Sequence, residues 1–342
     1  MNLQLKIIFL LILPYGCSTP MKSISKKKIN NSNKTDHMSR VIIGAISGKT
    51  IHLPEVNSTS MTNITPGRFV KNGVPAPEFK LDNSKALPDV LSFNRKFGLL
   101  IPVTNTTTEH ELWSIILNNQ QPGGLEGVGI HTTNIQTPKV IIQTEADLEN
   151  FKNLFIAGLE RAVGEARLSK PEYLIMGMSL EHILYGMDEI KGLMNKLDTT
   201  ISWATWHEAS DAALKKYKAK RIGIISPFNK KGNENAKKMF EDMGYEVVVS
   251  FGFGCPDLVD ISHIPNSAKE DVILNYLATP ENRLDAIVQL GTNMSMTEVT
   301  EKLELKIGIP IFGINAVTFW YALRENGFDM PLVKAGRLLK EF

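Results

Sequence analysis

The chain has 342 residues, 43% of them apolar and 22% charged, with two cysteines and a formal net charge of +2. That apolar share supports a real core and excludes a wholly disordered chain; the length suits one large or two moderate domains. Two cysteines cannot build a disulfide scaffold, an iron–sulfur cluster or a four-thiolate zinc site, but they could supply one disulfide or a two-thiol active site.

The charge is unevenly spread. Residues 1–95 carry 13 Lys and Arg against 5 Asp and Glu, a balance of +8, which leaves the remainder at −6. A mildly acidic body lacks the basic face that nucleic acid requires, so no nucleic-acid partner is expected.

Residues 1–20 read as a signal segment. Lys6 precedes the apolar run 7–13, which is too short to span a bilayer and suits an export signal. Cys17 follows Gly16 directly, as in a bacterial lipoprotein processing site. A lipid on Cys17 would attach the chain to a membrane; simple cleavage nearby and an unused signal are the alternatives. The expected location is periplasmic, secreted or lipid-anchored, and cytoplasmic if the segment is not a working signal. Residues 21–40, rich in Lys, Asn and Ser, read as a disordered linker. Residues 41–95, broken by Pro54, Pro66, Pro75, Pro77 and Pro88, read as an irregular extension with a short strand over 41–43. Asn57 and Asn63 head glycosylation sequons that matter only in a eukaryotic secretory route.

From about Phe97 strands alternate with helices. Strands are expected over 98–102, 128–132, 173–177, 221–227, 245–251, 285–291 and 310–313. Helices are expected over 147–166, 206–218, 233–243 (closed by Gly244), 270–277, 296–305 and 316–326 (ended by Gly327). Continuous apolar strands with helical crossovers make a parallel sheet covered on both faces. In such folds ligands bind beyond the carboxyl ends of the strands.

Five of those ends carry hydroxyl or amide side chains: Asn105 with Thr106 and Thr107; Ser179 after Gly177 and Met178; Ser226 before Pro227 and Phe228, with Asn233 in the next helix; Thr292 and Asn293 after Gly291; and Asn315 after Gly313. Helix N-termini present unpaired N–H groups and the positive end of the helix dipole, so such junctions suit a small carboxylate or phosphate. Ser, Thr and Asn are also ordinary helix caps. No G-x-G-x-x-G or P-loop sequence is present, and no histidine pair has the spacing of a helical metal site, so neither a dinucleotide nor a metal is expected.

In their order these junctions resemble the maleate cis–trans isomerase and arylmalonate decarboxylase branch of the aspartate/glutamate racemase superfamily. The resemblance runs over roughly residues 96–340. It is carried by Gly98-Leu-Leu-Ile-Pro-Val-Thr-Asn-Thr-Thr-Thr-Glu-His-Glu-Leu-Trp113, by 128–132, by 176–180 with Tyr185-Gly186, and by 285–297 and 315–327. It implies two similar Rossmann-like α/β halves facing each other across a ligand cleft: 96–204 completed by 314–342, and 205–313. It also implies cofactor-independent chemistry on a small carboxylate or dicarboxylate, and a homo-oligomer is compatible with it.

Racemases of this kind use one thiol on each half to move a proton, and the isomerases use one as a nucleophile. A low-pKa thiol can do both, and donors aimed at the developing oxyanion stabilise it. By the resemblance the two thiol positions fall on Gly177 and Gly291, and a substrate-contacting tyrosine falls on Phe228. Asn105, Thr106, Ser179, Thr292, Asn293 and Asn315 keep the character of carboxylate-binding residues, while Met178 replaces a hydroxyl donor. Cys255 and His182 are the candidate replacement acid/base groups, with Glu181 and Asp257 behind them; the more common role for a cysteine placed like Cys255 is a small apolar filler of a turn. Three functions follow: an isomerase or lyase with a relocated acid/base, a non-catalytic carboxylate-binding protein, and an interaction module working through 41–95.

Overall fold

The computed structural model describes residues 70–71, 74–75, 89–138, 144–179, 192, 195–197 and 200–342. Residues 84–342 fall in one compact unit and residues 10–83 in another. In the latter, β1 (Val70–Lys71) pairs antiparallel with β2 (Val74–Pro75). The signal segment, the linker and most of the extension lie outside the described residues. Among the described residues no helix is long and apolar enough to cross a membrane.

The larger unit repeats one topology twice. β3 (Arg95–Pro102), β4 (Val128–Ile135), β5 (Tyr173–Met176) and β6 (Ser202–Ala204) form a parallel sheet in the order β4-β3-β5-β6. β7 (Arg221–Ser226), β8 (Glu246–Gly252), β9 (Ala286–Gln289) and β10 (Ile311–Gly313) form a second in the order β8-β7-β9-β10. In each the first strand is flanked by the second and third, so the chain reverses direction across the sheet between β3 and β5 and between β7 and β9. Ligands of doubly wound sheets bind at that reversal.

The helices are α1 (Thr108–Leu117), α2 (Glu145–Leu168), α3 (Trp206–Lys216), α4 (Lys230–Asp242), α5 (Asn266–Val272), α6 (Thr297–Ile307), α7 (Ile314–Glu325) and α8 (Arg337–Glu341). α2 starts on a capping box, in which Thr144 and Asp147 bond each other's backbone N–H. The helix expected over 270–277 begins earlier, at Asn266, and its last turn, Ile273–Leu277, is π-helical.

Alternating side chains of β3 go to opposite faces. Leu100 joins Leu174, Met176, Phe155 and Leu159 under α2. Phe97, Leu99 and Ile101 enter a larger cluster that also holds Ile222, Ile224, Val288 and Phe312 of the second sheet, with Trp206, Phe319 and Trp320 of α3 and α7. The two halves therefore share one apolar core. The far face of the second sheet closes on Ile225, Ile287, Ile311, Val299 and Leu303.

The C-terminal strap after α7 is latched by buried polar groups. Glu304 of α6, 3% exposed, accepts from Ile311 N (2.8 Å) and Arg337 N (2.7 Å). Burial outweighs these bonds and pushes its carboxyl up to about 7. A carboxyl raised on folding binds more protons in the native state than in the unfolded one. Stability is then greatest below the unfolded value of 4.5 and falls as pH rises towards 7. Glu304→Gln is expected to flatten that stretch of a stability–pH curve, measured by urea unfolding, while its NH₂ group, set against one of the two backbone donors, lowers stability at every pH. An unchanged slope would exclude Glu304 as its source.

Candidate functional site

The turn after β3 folds on Asn105. Its N–H donates to Pro102 O (2.9 Å), and its Oδ1 accepts from Thr107 N (2.9 Å) and Thr108 N (3.0 Å), so the side chain caps the start of α1. Its Nδ2 donates to Thr108 Oγ1 (2.9 Å) and, across to the second half, to Thr292 Oγ1 (3.0 Å). Both donors and both lone pairs of the amide are thus occupied by protein.

Around Asn105 the halves are stitched together. Asn293 Oδ1 accepts from Thr106 N (3.0 Å), and its Nδ2 donates to Thr104 O (3.2 Å) and Leu258 O (3.1 Å). Thr107 Oγ1 donates to Asn293 O (3.0 Å). Thr108 Oγ1 lies 3.1 Å from both Thr292 O and Asn315 Oδ1. Asn315 Nδ2 donates to Thr292 O (2.9 Å) and Glu111 Oε2 (2.7 Å).

Glu111 is the hub. One turn into α1 and 5% exposed, its Oε1 accepts from Met296 N (2.7 Å), Thr297 N (2.8 Å) and Thr297 Oγ1 (2.8 Å). Met296, at the start of α6, has no side-chain cap of its own. Glu111 therefore caps a helix of the opposite half and sets a negative charge against its positive end. Beneath the same loop Lys269, fully buried, donates to Ser295 O (2.5 Å) and Oγ (2.9 Å). Burial pulls its ammonium below the ordinary lysine range, while Glu111, Glu298 and Glu270 act the other way. Sequence reasoning missed Glu111, Lys269 and Thr108 as site residues. The i, i+3 spacing of Thr108 and Glu111 directly after Asn105 was the available signal, since it puts both on one helical face.

The structure thus brings Asn105, Thr106, Thr292, Asn293 and Asn315 together at the junction of the halves. Ser179 is buried at the end of β5, two residues past Gly177. Phe228 is buried in the shared core, with its N–H on Ser226 Oγ (3.2 Å). Met178 faces the cluster under α2. Glu181, His182 and Tyr185 lie outside the described residues.

The positions that the resemblance assigns to thiols have no room for one as they stand. A Cβ on Gly177 would sit 2.6 Å from Ile101 Cγ2 and 3.0 Å from Leu100 O. Gly291 has φ +90, and a Cβ there would sit 2.4 Å from Pro227 Cγ. Cys255 is tied to the same proline, its N–H donating to Pro227 O (2.9 Å). Its side chain, though, packs against the apolar cluster of Ile225, Ile261 and Met294. Burial, then Asp260, push its thiol up, away from the thiolate that nucleophilic or proton-carrying chemistry needs. Asp257 is exposed and accepts from Val259 N (3.2 Å) in its own turn.

Two doubly wound parallel-sheet halves with polar turns bonded to each other across the junction define the α/β class of the molecule. Solved structures of that class match the fold. A Nocardia farcinica maleate cis–trans isomerase, a cysteine-to-serine mutant with a covalently bound succinylcysteine intermediate, superposes with a TM-score of 0.58 at 21% identity, over 72% of this chain and 99% of that one. A Pseudomonas putida maleate isomerase gives 0.60 at 16%, over 72% and 98%. An arylmalonate decarboxylase mutant in liganded form gives 0.60 at 12%, over 73% and 100%. The arylmalonate decarboxylase family model matches residues 173–339. No curated protein matches at the level of sequence. The family match over residues 173–339 and the shared fold support the maleate isomerase and arylmalonate decarboxylase branch of the aspartate/glutamate racemase superfamily.

Proposed function

We propose that the protein binds a small carboxylate or dicarboxylate between its two halves and does so without the thiol chemistry of its relatives. The observation that carries this reading is the pair of closed glycine positions, Gly177 and Gly291, together with a Cys255 side chain packed on an apolar cluster, where burial disfavours its thiolate. Donors remain: Thr292 Oγ1 at the junction accepts from Asn105 and keeps its own proton to give, and Ser179 is buried just past the end of β5. Maleate and an arylmalonate, named for the relatives, are the first ligands to try.

The test is a thermal melt of the full chain with maleate, phenylmalonate, succinate and aspartate, with product analysis of the same samples. A ligand at a hundredfold its Kd stabilises by about 2.7 kcal/mol, enough to raise Tm by several degrees. The expected result is such a shift with no turnover, weakened in Ser179→Ala. Turnover would instead establish an isomerase or lyase with a relocated acid/base. No shift with any carboxylate would favour the interaction module, a reading to which the full use of Asn105 inside the protein already lends weight.

A further inference from the structure

We infer that the cleft between α1 and α6 is a second ligand site, built for a small zwitterion that carries both a carboxylate and an ammonium group. The cleft encloses about 660 Å³, within the range of small-molecule sites, and all its lining side chains are polar. Most ligand pockets are lined by apolar side chains; one in which every lining side chain carries a polar group suits a ligand that exchanges water for protein hydrogen bonds. Thr106, Thr107, Glu111 and Thr297 belong both to the junction network and to this cleft, whereas Asn105, Ser179, Thr292, Asn293 and Asn315 do not line it.

Its two walls differ in kind. On α1, His110, Ser114 and Asn118 follow one another at every fourth position and so share a face. That wall has one carboxylate, Glu111, and both its oxygens are occupied. On α6, Glu298 and Glu301 line the opposite wall. Glu298 accepts from Asn266 Nδ2 through Oε2 (2.8 Å), and Glu301 accepts from Gly336 N through Oε1 (2.6 Å). Each carboxylate keeps a second oxygen. Lys302 beside them is paired with Glu270.

Lys334 lines the cleft from the C-terminal strap. Its backbone has φ +56, a region L side chains seldom occupy. It is held there from both sides. Val333 N and O bond to the Asn119 side chain (2.9 and 3.1 Å), and Gly336 N bonds to Glu301. The hydrogen bonds on either side thus hold the backbone that carries Lys334 at the edge of the cleft. A ligand carboxylate would lie towards Lys334 and the hydroxyl and amide donors of α1, and its ammonium towards Glu298 and Glu301.

Calorimetric titration of the full chain tests this with glycine, β-alanine and 4-aminobutyrate, beside acetate and ethylamine as single-charge controls. At least one aminocarboxylate should bind and both controls fail. Lys334→Met and Glu298→Gln should each weaken that binding about tenfold, the worth of one modest charged contact, and Lys334→Met should do so with ligand-free melting unchanged. Ser179→Ala, at the junction site, should leave it intact. The inference is overturned if acetate or ethylamine binds as well as the aminocarboxylates, if no aminocarboxylate binds at millimolar concentration, or if Ser179→Ala abolishes binding while Lys334→Met does not.

Discussion

Gly291→Cys, which would return a thiol to the second half, is expected to destabilise the protein by about 2–5 kcal/mol and to confer no activity. A left-handed conformation costs an L residue roughly 1–2 kcal/mol, and overpacking a closed site adds about 1–3 kcal/mol. The turn has little freedom to relax. Gly291 O accepts from Met294 N (2.9 Å) and from Gln289 Nε2 (2.8 Å), while Gln289 Oε1 accepts from Ile314 N (3.1 Å) at the start of α7. Pro227 blocks the other side, and its own carbonyl is held by Cys255 N. Urea unfolding measures the loss, and maleate turnover the gain. A variant as stable as the parent would mean that φ at this position is not fixed. Gly177→Cys is the milder of the pair, because its tightest neighbour is the Ile101 side chain and its φ is not left-handed.

Glu111→Ala is expected to cost about 3–5 kcal/mol, the range for removing one partner of a buried charged network. Met296 N, Thr297 N, Thr297 Oγ1 and Asn315 Nδ2 would all lose their acceptor. The buried Lys269 would also lose the carboxylate that most favours its charged form, so its ammonium should titrate lower still. Glu111→Gln retains an acceptor for the α6 backbone but sets an NH₂ group against a donor, and should cost roughly half as much. If Glu111→Ala unfolds at the same urea concentration as the parent, the hub contributes nothing to joining the halves.

The alternation of strands and helices was legible because both sheets are covered on two faces, which makes each central strand an unbroken apolar run. α1 was not, since Thr106-Thr107-Thr108-Glu109-His110 is polar and β-branched where the helix begins. β6, three residues at a sheet edge, is too short to show a period. The residues at the junction were legible as hydroxyls and amides beyond strand ends. Their mutual bonding was not, because Asn105 and Thr292 lie 187 positions apart, and no local pattern tells a side chain that awaits a ligand from one that meets its partner across a fold. The closure of Gly291 was equally hidden: a glycine reads as a missing thiol, and only its φ and the Pro227 ring reveal that the backbone has filled the place.

The core shared by the two sheets has a consequence for synthesis. α7 packs on α1, β5 and β6 as well as on α3, so the first sheet, whose last strand ends at Ala204, lacks one of its covers until residues 314–325 leave the ribosome. At about 5–20 residues per second that delay amounts to roughly 5–25 s. Through it the apolar face of β3 has no native partner from α7, and nascent chains stalled short of Ile314 should be held by chaperones or degraded, whereas those in which Glu325 has cleared the ribosome should not.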